Sequence, residues 1–211
     1  MKMNKKILVL GGSPCSGKST IAEMIAREYG AHYFKVDDFL GEFMARAAAE
    51  GKEICQRYQG LSPDEIWLED PAMQCRDEFL IYEEIAPYFF EKLEQIDEEI
   101  IVTEGAGYTP EVMKKHACID QPDAPEIYYV AIVPTPEFQI EHYRQREWIK
   151  YVLADCSDKE KAFDNWMQRD ILFGKQVNEE CDAMGIPCFV NDGSQTIEEL
   201  YDQVTRALKQ E

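Results

Sequence analysis

The segment Gly12-Ser13-Pro14-Cys15-Ser16-Gly17-Lys18-Ser19 constrains this chain more than any other. Its spacing, G-x-x-x-x-G-K-S, describes a tight loop in which Gly12 and Gly17 adopt backbone angles and close approaches that a Cβ would hinder. An apolar run, Ile7-Leu8-Val9-Leu10, precedes the loop, and Ile21, Ala22, Ile25 and Ala26 recur behind it at helical spacing. Strand, glycine loop and helix in that order form one supersecondary unit. Successive backbone N–H groups then converge at a helix N-terminus, where the dipole also favours an anion. The loop therefore reads as a phosphate cradle with Gly12, Ser13, Cys15, Ser16, Gly17, Lys18, Ser19 and Thr20 as contact residues. Lys18 is expected to reach the terminal phosphates and the Ser19 hydroxyl to bind Mg²⁺. Cys15 reads either as a thiol sensitised by the helix N-terminus or as a small residue that the loop tolerates.

Strand-like and helix-like stretches alternate along the rest of the chain. Strands are expected at about Lys5–Leu10, His32–Val36, Ile100–Thr103, Ile127–Val133 and Cys188–Val190. The first helix runs from about Lys18 to Glu28, with Gly30 as its stop. Phe39 to about Leu93 reads as mostly helical, broken at Gly51, Gly60–Pro63 and Pro71, with Pro87 expected to start or kink a helix. Thr135 and Pro136 suit the start of a helix that carries Arg144, Arg146 and Lys150. A long helix follows at about Lys159–Met184, stopped by Gly185, and Thr196 with Glu199 makes a capping box before the last helix. This order predicts an α/β, three-layer domain spanning residues 1–211, with a five-stranded, mainly parallel sheet covered on both faces. Functional groups should gather at the carboxyl ends of the strands, which selects Asp37, Asp38, Glu104 and the Asn191–Ser194 turn.

Composition narrows the partners. A 45% hydrophobic content over 211 residues supports a substantial core. The net charge of −19 argues against nucleic acid as a partner, since phosphate backbones need basic surfaces. It leaves ATP open, whose phosphates Lys18, Mg²⁺ and a few arginines would meet locally. No apolar run is long enough for a signal-peptide core after Lys2, Lys5 and Lys6, or for a membrane span elsewhere. The seven scattered cysteines, Cys118 among them, contain no C-x-x-C pair and read as free thiols in a reducing, cytoplasmic compartment. The three dispersed histidines give a structural metal little support.

The strand-end acids suit phosphoryl transfer, which needs a carboxylate to orient an acceptor hydroxyl and take its proton. Asp37 and Asp38 either serve that purpose or cap the helix that follows. Glu104, ahead of Gly105 and Gly107, either holds Mg²⁺ or its water, or sits in a solvated turn. Arg144 and Arg146 point in different directions on one helix: one can reach transferring phosphate, or both belong to a solvated face. Arg169 lies over a nucleotide or pairs with a neighbouring acid. Phe79, Tyr82, Tyr88, Phe89 and Phe90 line an acceptor pocket or pack in the core.

Together Gly12–Ser19, Val36-Asp37-Asp38-Phe39 and Thr103-Glu104-Gly105 resemble the P-loop nucleoside kinases of the uridine kinase and nicotinamide riboside kinase type. The ending Val190-Asn191-Asp192-Gly193-Ser194 looks like the adenine-contacting loop of adenylate kinase and its relatives, and the segment around Arg144 and Arg146 looks like their lid. The resemblance implies a P-loop NTPase fold with a helical acceptor-binding region at approximately 39–95 and a lid at approximately 140–160. It implies an ATP- and Mg²⁺-dependent kinase with a small-molecule acceptor, a nucleoside first, acting as a monomer or homodimer. Lys18, Asp37, Arg144 and Arg146 would be catalytic, and Ser19 and Glu104 would serve the metal. Asp37, Asp38 and Phe39 would meet the acceptor, while Arg169, Asp192, Gly193 and Ser194 would join the loop around ATP. Two other readings stay open. One is a kinase for a nucleoside monophosphate or small acid, to which Arg46, Arg57 and Arg76 would contribute; the other is a nucleotide-binding regulatory ATPase.

Overall fold

A computed structural model describes residues 5–117 and 125–209, so Lys2 and Cys118 fall outside it. Five strands, β1 (Lys6–Gly11), β2 (His32–Lys35), β3 (Ile100–Glu104), β4 (Glu126–Pro134) and β5 (Cys188–Asn191), form one sheet in the order β2-β3-β1-β4-β5. Every pairing is parallel. The expected "mainly parallel" sheet is thus wholly parallel among the described residues, and the central strands β1, β3 and β4 have the apolar character that burial on both faces requires.

Alternation along the strands feeds two cores. Leu10, Val102, Val130 and Ile132 pack on one face against α1 (Lys18–Tyr29) and α10 (Ile197–Lys209). Ile7, Val9, Ile101, Ala131 and Val133 face the other side. There they meet α2 (Leu40–Ala49), α3 (Glu53–Tyr58), α5 (Pro71–Glu94), α6 (Pro110–His116) and α9 (Lys159–Met184). Each of these Leu, Ile and Val side chains contributes roughly 1.5–3 kcal/mol by leaving water. A third cluster, beside the glycine loop, joins Tyr143, Ile149 and Leu153 to Ala162, Trp166 and Met167. It holds α7 (Pro136–Arg144) and α8 (Ile149–Val152) against α9, and α4 (Pro63–Trp67) closes it through Trp67.

Helix ends follow local chemistry. Gly30 and Gly185 close α1 and α9 in the left-handed conformation. Thr135 Oγ1 accepts from Phe138 N, Asp158 caps α9, and Thr196 and Glu199 exchange the two capping-box hydrogen bonds. Of the two alternatives for Pro87, the helix start drops out: it lies inside α5, flanked by buried Ile85, Ala86, Tyr88 and Phe89. One expectation fails. The helix begun at Pro136 stops at Arg144; Arg146 N turns back to Tyr143 O at 2.9 Å, and Lys150 falls in α8. Packing of Tyr143 and Ile149 into the third cluster redirects the chain there. Among the described residues, no helix is long and apolar enough to cross a membrane.

Candidate active site

The carboxyl ends of β1, β2 and β3 open on a cleft of about 690 Å³. The glycine loop forms its floor. Gly12, Cys15 and Gly17 all have positive φ, at 108°, 64° and 94°. A Cβ at Gly12 would lie 2.1 Å from Ile132 O, so the loop rests directly on the backbone of β4. Gly17 begins α1 and no side chain caps that helix, which leaves its first-turn N–H groups without intrahelical acceptors. These donors, with buried Lys18 at the first helical position, fit a triphosphate.

Lys18 Nζ donates to Ser13 O at 2.6 Å. Burial lowers its pKa from the usual 10.5, and Glu104 and Asp37 oppose that shift. Ser19 Oγ donates to Glu104 Oε1 at 2.9 Å, and Tyr33 Oη reaches the same oxygen at 3.1 Å. Glu104 is only 1% exposed, with Lys35 Nζ 3.9 Å away. A hydroxyl and a carboxylate side by side at a phosphate loop fit Mg²⁺, which takes few protein oxygens and draws the remainder from phosphate and water. Among the described residues, no three His, Cys, Asp or Glu side chains cluster as a metal cage.

Asp37 sits in a short 3₁₀ turn, Val36–Phe39, immediately after β2. It retains open surface towards the cleft, yet the protein wrapped around its carboxyl raises its pKa above 3.8, with Glu104 adding to the rise and Lys18 and Lys35 opposing it. Asp38 lines the same cleft. Phe39 does not: its ring packs on Phe34 and Phe43, with Lys92 Nζ 3.6 Å from its centroid, because the 3₁₀ turn swings it towards the second core.

The remaining candidates divide. Arg146 lines the cleft and lies over Tyr143 and Trp148. Arg144, at the end of α7, lies over Phe163 instead, since the turn after α7 separates the two arginines. Arg169 reaches the cleft but is heavily engaged. Its Nε and Nη2 donate to Asp170 Oδ1 at 2.8 and 2.6 Å, and Nε lies 3.2 Å from Glu78 Oε2. Burial works against its charge, but Asp170 and Glu78 outweigh that and hold the guanidinium protonated. Asp192 and Ser194 hydrogen-bond each other on the surface, and Gly193 stands over Phe138. The residue of that turn that touches the loop is Asn191, whose Nδ2 donates to Ser16 O at 3.0 Å. Ser13 Oγ donates to Asp170 O, tying the loop to α9. Burial pushes the Cys15 thiol up, so it is a loop-filling residue and not a sensitised thiolate. Of the five aromatics proposed for a pocket, Tyr82 faces the cleft, while Phe89 and Tyr88 are core.

The structure adds residues that sequence reasoning did not select: Glu78 and the tryptophans Trp67, Trp148 and Trp166. Trp67 and Trp166 stack at 4.4 Å, with Trp148 5.8 Å from Trp166. Tyr82 Oη donates to Glu78 Oε1 at 3.0 Å. Burial raises the Glu78 pKa to about 7 despite Arg169, with Asp170 and Asp37 contributing to the rise. Helical spacing carried a usable signal. Glu78 lies on the buried stripe of α5, four residues after Gln74 and four before Tyr82, while Arg169 and Asp170 follow Trp166 by three and four.

No protein-family model and no curated protein matches the chain. Among solved structures, it is similar to a gluconokinase from Sinorhizobium meliloti 1021 at a TM-score of 0.51 and 16% identity, covering 99% of this chain and 93% of that one. A shikimate kinase from Bacteroides thetaiotaomicron aligns at a TM-score of 0.47 and 16% identity, over 95% and 94% of the two chains. A glycine loop between β1 and α1, acids at the ends of β2 and β3, and this likeness of architecture give the chain the P-loop kinase fold.

Proposed function

We propose that this protein transfers the γ-phosphoryl group of MgATP to a hydroxyl group of a small metabolite, with a nucleoside as the first candidate acceptor. The observation that carries the reading is the convergence of Asp37, Lys18 and the Ser19–Glu104 pair on one cleft lined by the glycine loop. An acceptor hydroxyl hydrogen-bonded to Asp37 faces the phosphate end of that cleft. Its oxygen bonds to the γ-phosphorus as the bond from phosphorus to the bridging oxygen breaks, Asp37 takes the proton, and ADP leaves. The raised pKa of Asp37 makes it a stronger base than an aspartate at the ordinary value. Lys18 and Arg146 offset charge on the transferring group, and Asn191 stiffens the loop through Ser16. Ser19 and Glu104 would hold Mg²⁺, which when bound neutralises phosphate charge and orients the chain of phosphates.

An anionic acceptor finds no support from the arginines that suggested it. Arg46 pairs with Glu50 and Glu91, Arg57 and Arg76 both pair with Asp77, and none of the three lines the cleft. The direct test is ATP consumption measured across nucleosides, nucleoside monophosphates and small hydroxy acids, with the phosphorylated product identified by mass. We expect acceptor-dependent ADP formation that falls about 10²–10³-fold in Lys18→Ala. ATP turnover that no acceptor stimulates would support a regulatory ATPase instead.

A further inference from the structure

We propose that Glu78 and Arg169 form a charge filter that admits uncharged acceptors and rejects anionic ones. The inference rests on the cleft being the phosphoryl-transfer site. The cleft is lined by the acids Asp37, Asp38, Glu78 and Glu104 and by the cations Lys18, Lys35, Arg146 and Arg169, and of these cations Arg169 is the one paired with Glu78. Arg169 is 15% exposed and already shared between two carboxylates, Asp170 and Glu78, so the group as a whole is negative. Its guanidinium also lies against the rings of Trp67 and Trp166, at 5.3 and 5.7 Å, which fixes its plane. A carboxylate or phosphate entering here would have to displace Glu78 from Arg169 or be buried beside it as a like charge. Either route is costly in a partly desolvated site. A neutral acceptor meets no such penalty, and its apolar surface can lie against the tryptophan wall.

Glu78 is the adjustable member of the pair. Its Oε2 is buried without a hydrogen bond and is held by the ion pair alone, whereas Oε1 accepts from Tyr82. The charged and titratable groups around it are Arg169 and Asp170 from α9, Tyr82 and Cys75 from its own helix, and Asp37 from the turn after β2. Burial raises its pKa above the usual carboxylate range, so it takes up a proton at a higher pH than an exposed glutamate does. Protonation releases Arg169 from one of its two partners, and the filter weakens as pH falls.

The test uses pairs of nearly the same shape, one charged and one neutral: 5-carboxyuridine against 5-carbamoyluridine, and shikimate against its carboxamide. Binding is read by tryptophan fluorescence with a non-hydrolysable MgATP analogue present, since Trp67, Trp148 and Trp166 all line the cleft. At pH 8 we expect a carboxamide to bind at least about tenfold more tightly than its carboxylate, and the ratio to shrink at pH 6. Glu78→Gln should hold the ratio below about threefold at both pH values. The wild-type pH comparison stands on its own if that variant does not fold. Carboxylates binding as well as carboxamides at pH 8, no carboxamide binding, or a ratio unaltered by both pH and Glu78→Gln would each overturn the filter. Selective binding of carboxamides with no phosphoryl transfer to any acceptor would instead overturn the proposed reaction and leave the filter standing.

Discussion

Asp37 owes its position to Gly105. A Cβ at residue 105 would lie 2.9 Å from Val36 Cβ and 3.3 Å from Asp37 Oδ1, so the turn after β2 can settle on the end of β3 only because that side chain is missing. We expect Gly105→Ala to cost about 1–3 kcal/mol in urea unfolding, as overpacked sites do, and to lower kcat more than it weakens MgATP binding. An equal loss in both kinetic terms would place the strain at the glycine loop instead. At this scale the sequence exposed those groups whose positions follow from local order. Lys18, Ser19, Asp37 and Glu104 sit at strand ends or helix starts, where neighbours in sequence are neighbours in space. Glu78 and Arg169 are far apart in the chain, and their 3.2 Å contact depends on how α5 and α9 pack. Arg144 and Arg146 had equal claims in sequence, and one turn after Tyr143 decided between them.

The element that organises the cleft is α9. It brings Trp166, Arg169 and Asp170 to the glycine loop, and it approaches closely because Gly174 faces Ser13: a Cβ there would come within 3.2 Å of Ser13 Cβ. Gly174→Val should therefore push helix and loop apart. We expect a loss of about 1–3 kcal/mol in stability, with a rise in KM for ATP that exceeds any change in acceptor KM. Unchanged ATP kinetics would mean that α9 is not what holds the loop. The limits of α9 were legible because they are set by short-range chemistry, an Asp158 cap at one end and Gly185 at the other. The three central strands β1, β3 and β4 were legible because parallel strands buried on both faces read as apolar runs. The break between α7 and α8 was not legible. It depends on Tyr143 and Ile149 reaching a cluster completed by residues of α9, which no local pattern encodes.

Across the whole molecule, the parallel order β2-β3-β1-β4-β5 puts β1 between β3 and β4, so the chain leaves β1 at the point where connections diverge to the two sides of the sheet. The glycine loop occupies that point, with the Asp37 turn and Glu104 on one flank and Asn191 on the other. The net charge of −19 is compatible with a polyanionic ligand because the donors of the loop, Lys18 and Arg146 line the cleft and would meet the phosphates locally. The central claim is that one cleft divides the work, with the loop holding MgATP and Asp37 serving the acceptor. The measurement closest to that claim is single-turnover transfer of γ-phosphoryl label to an acceptor in wild type and Asp37→Asn, alongside the MgATP dissociation constant of each. The division of labour predicts a transfer rate lower by about 10²–10⁴-fold in Asp37→Asn, with MgATP affinity within about threefold of wild type. Transfer at the wild-type rate in Asp37→Asn, above all if Asp38→Asn abolished it, would contradict the account.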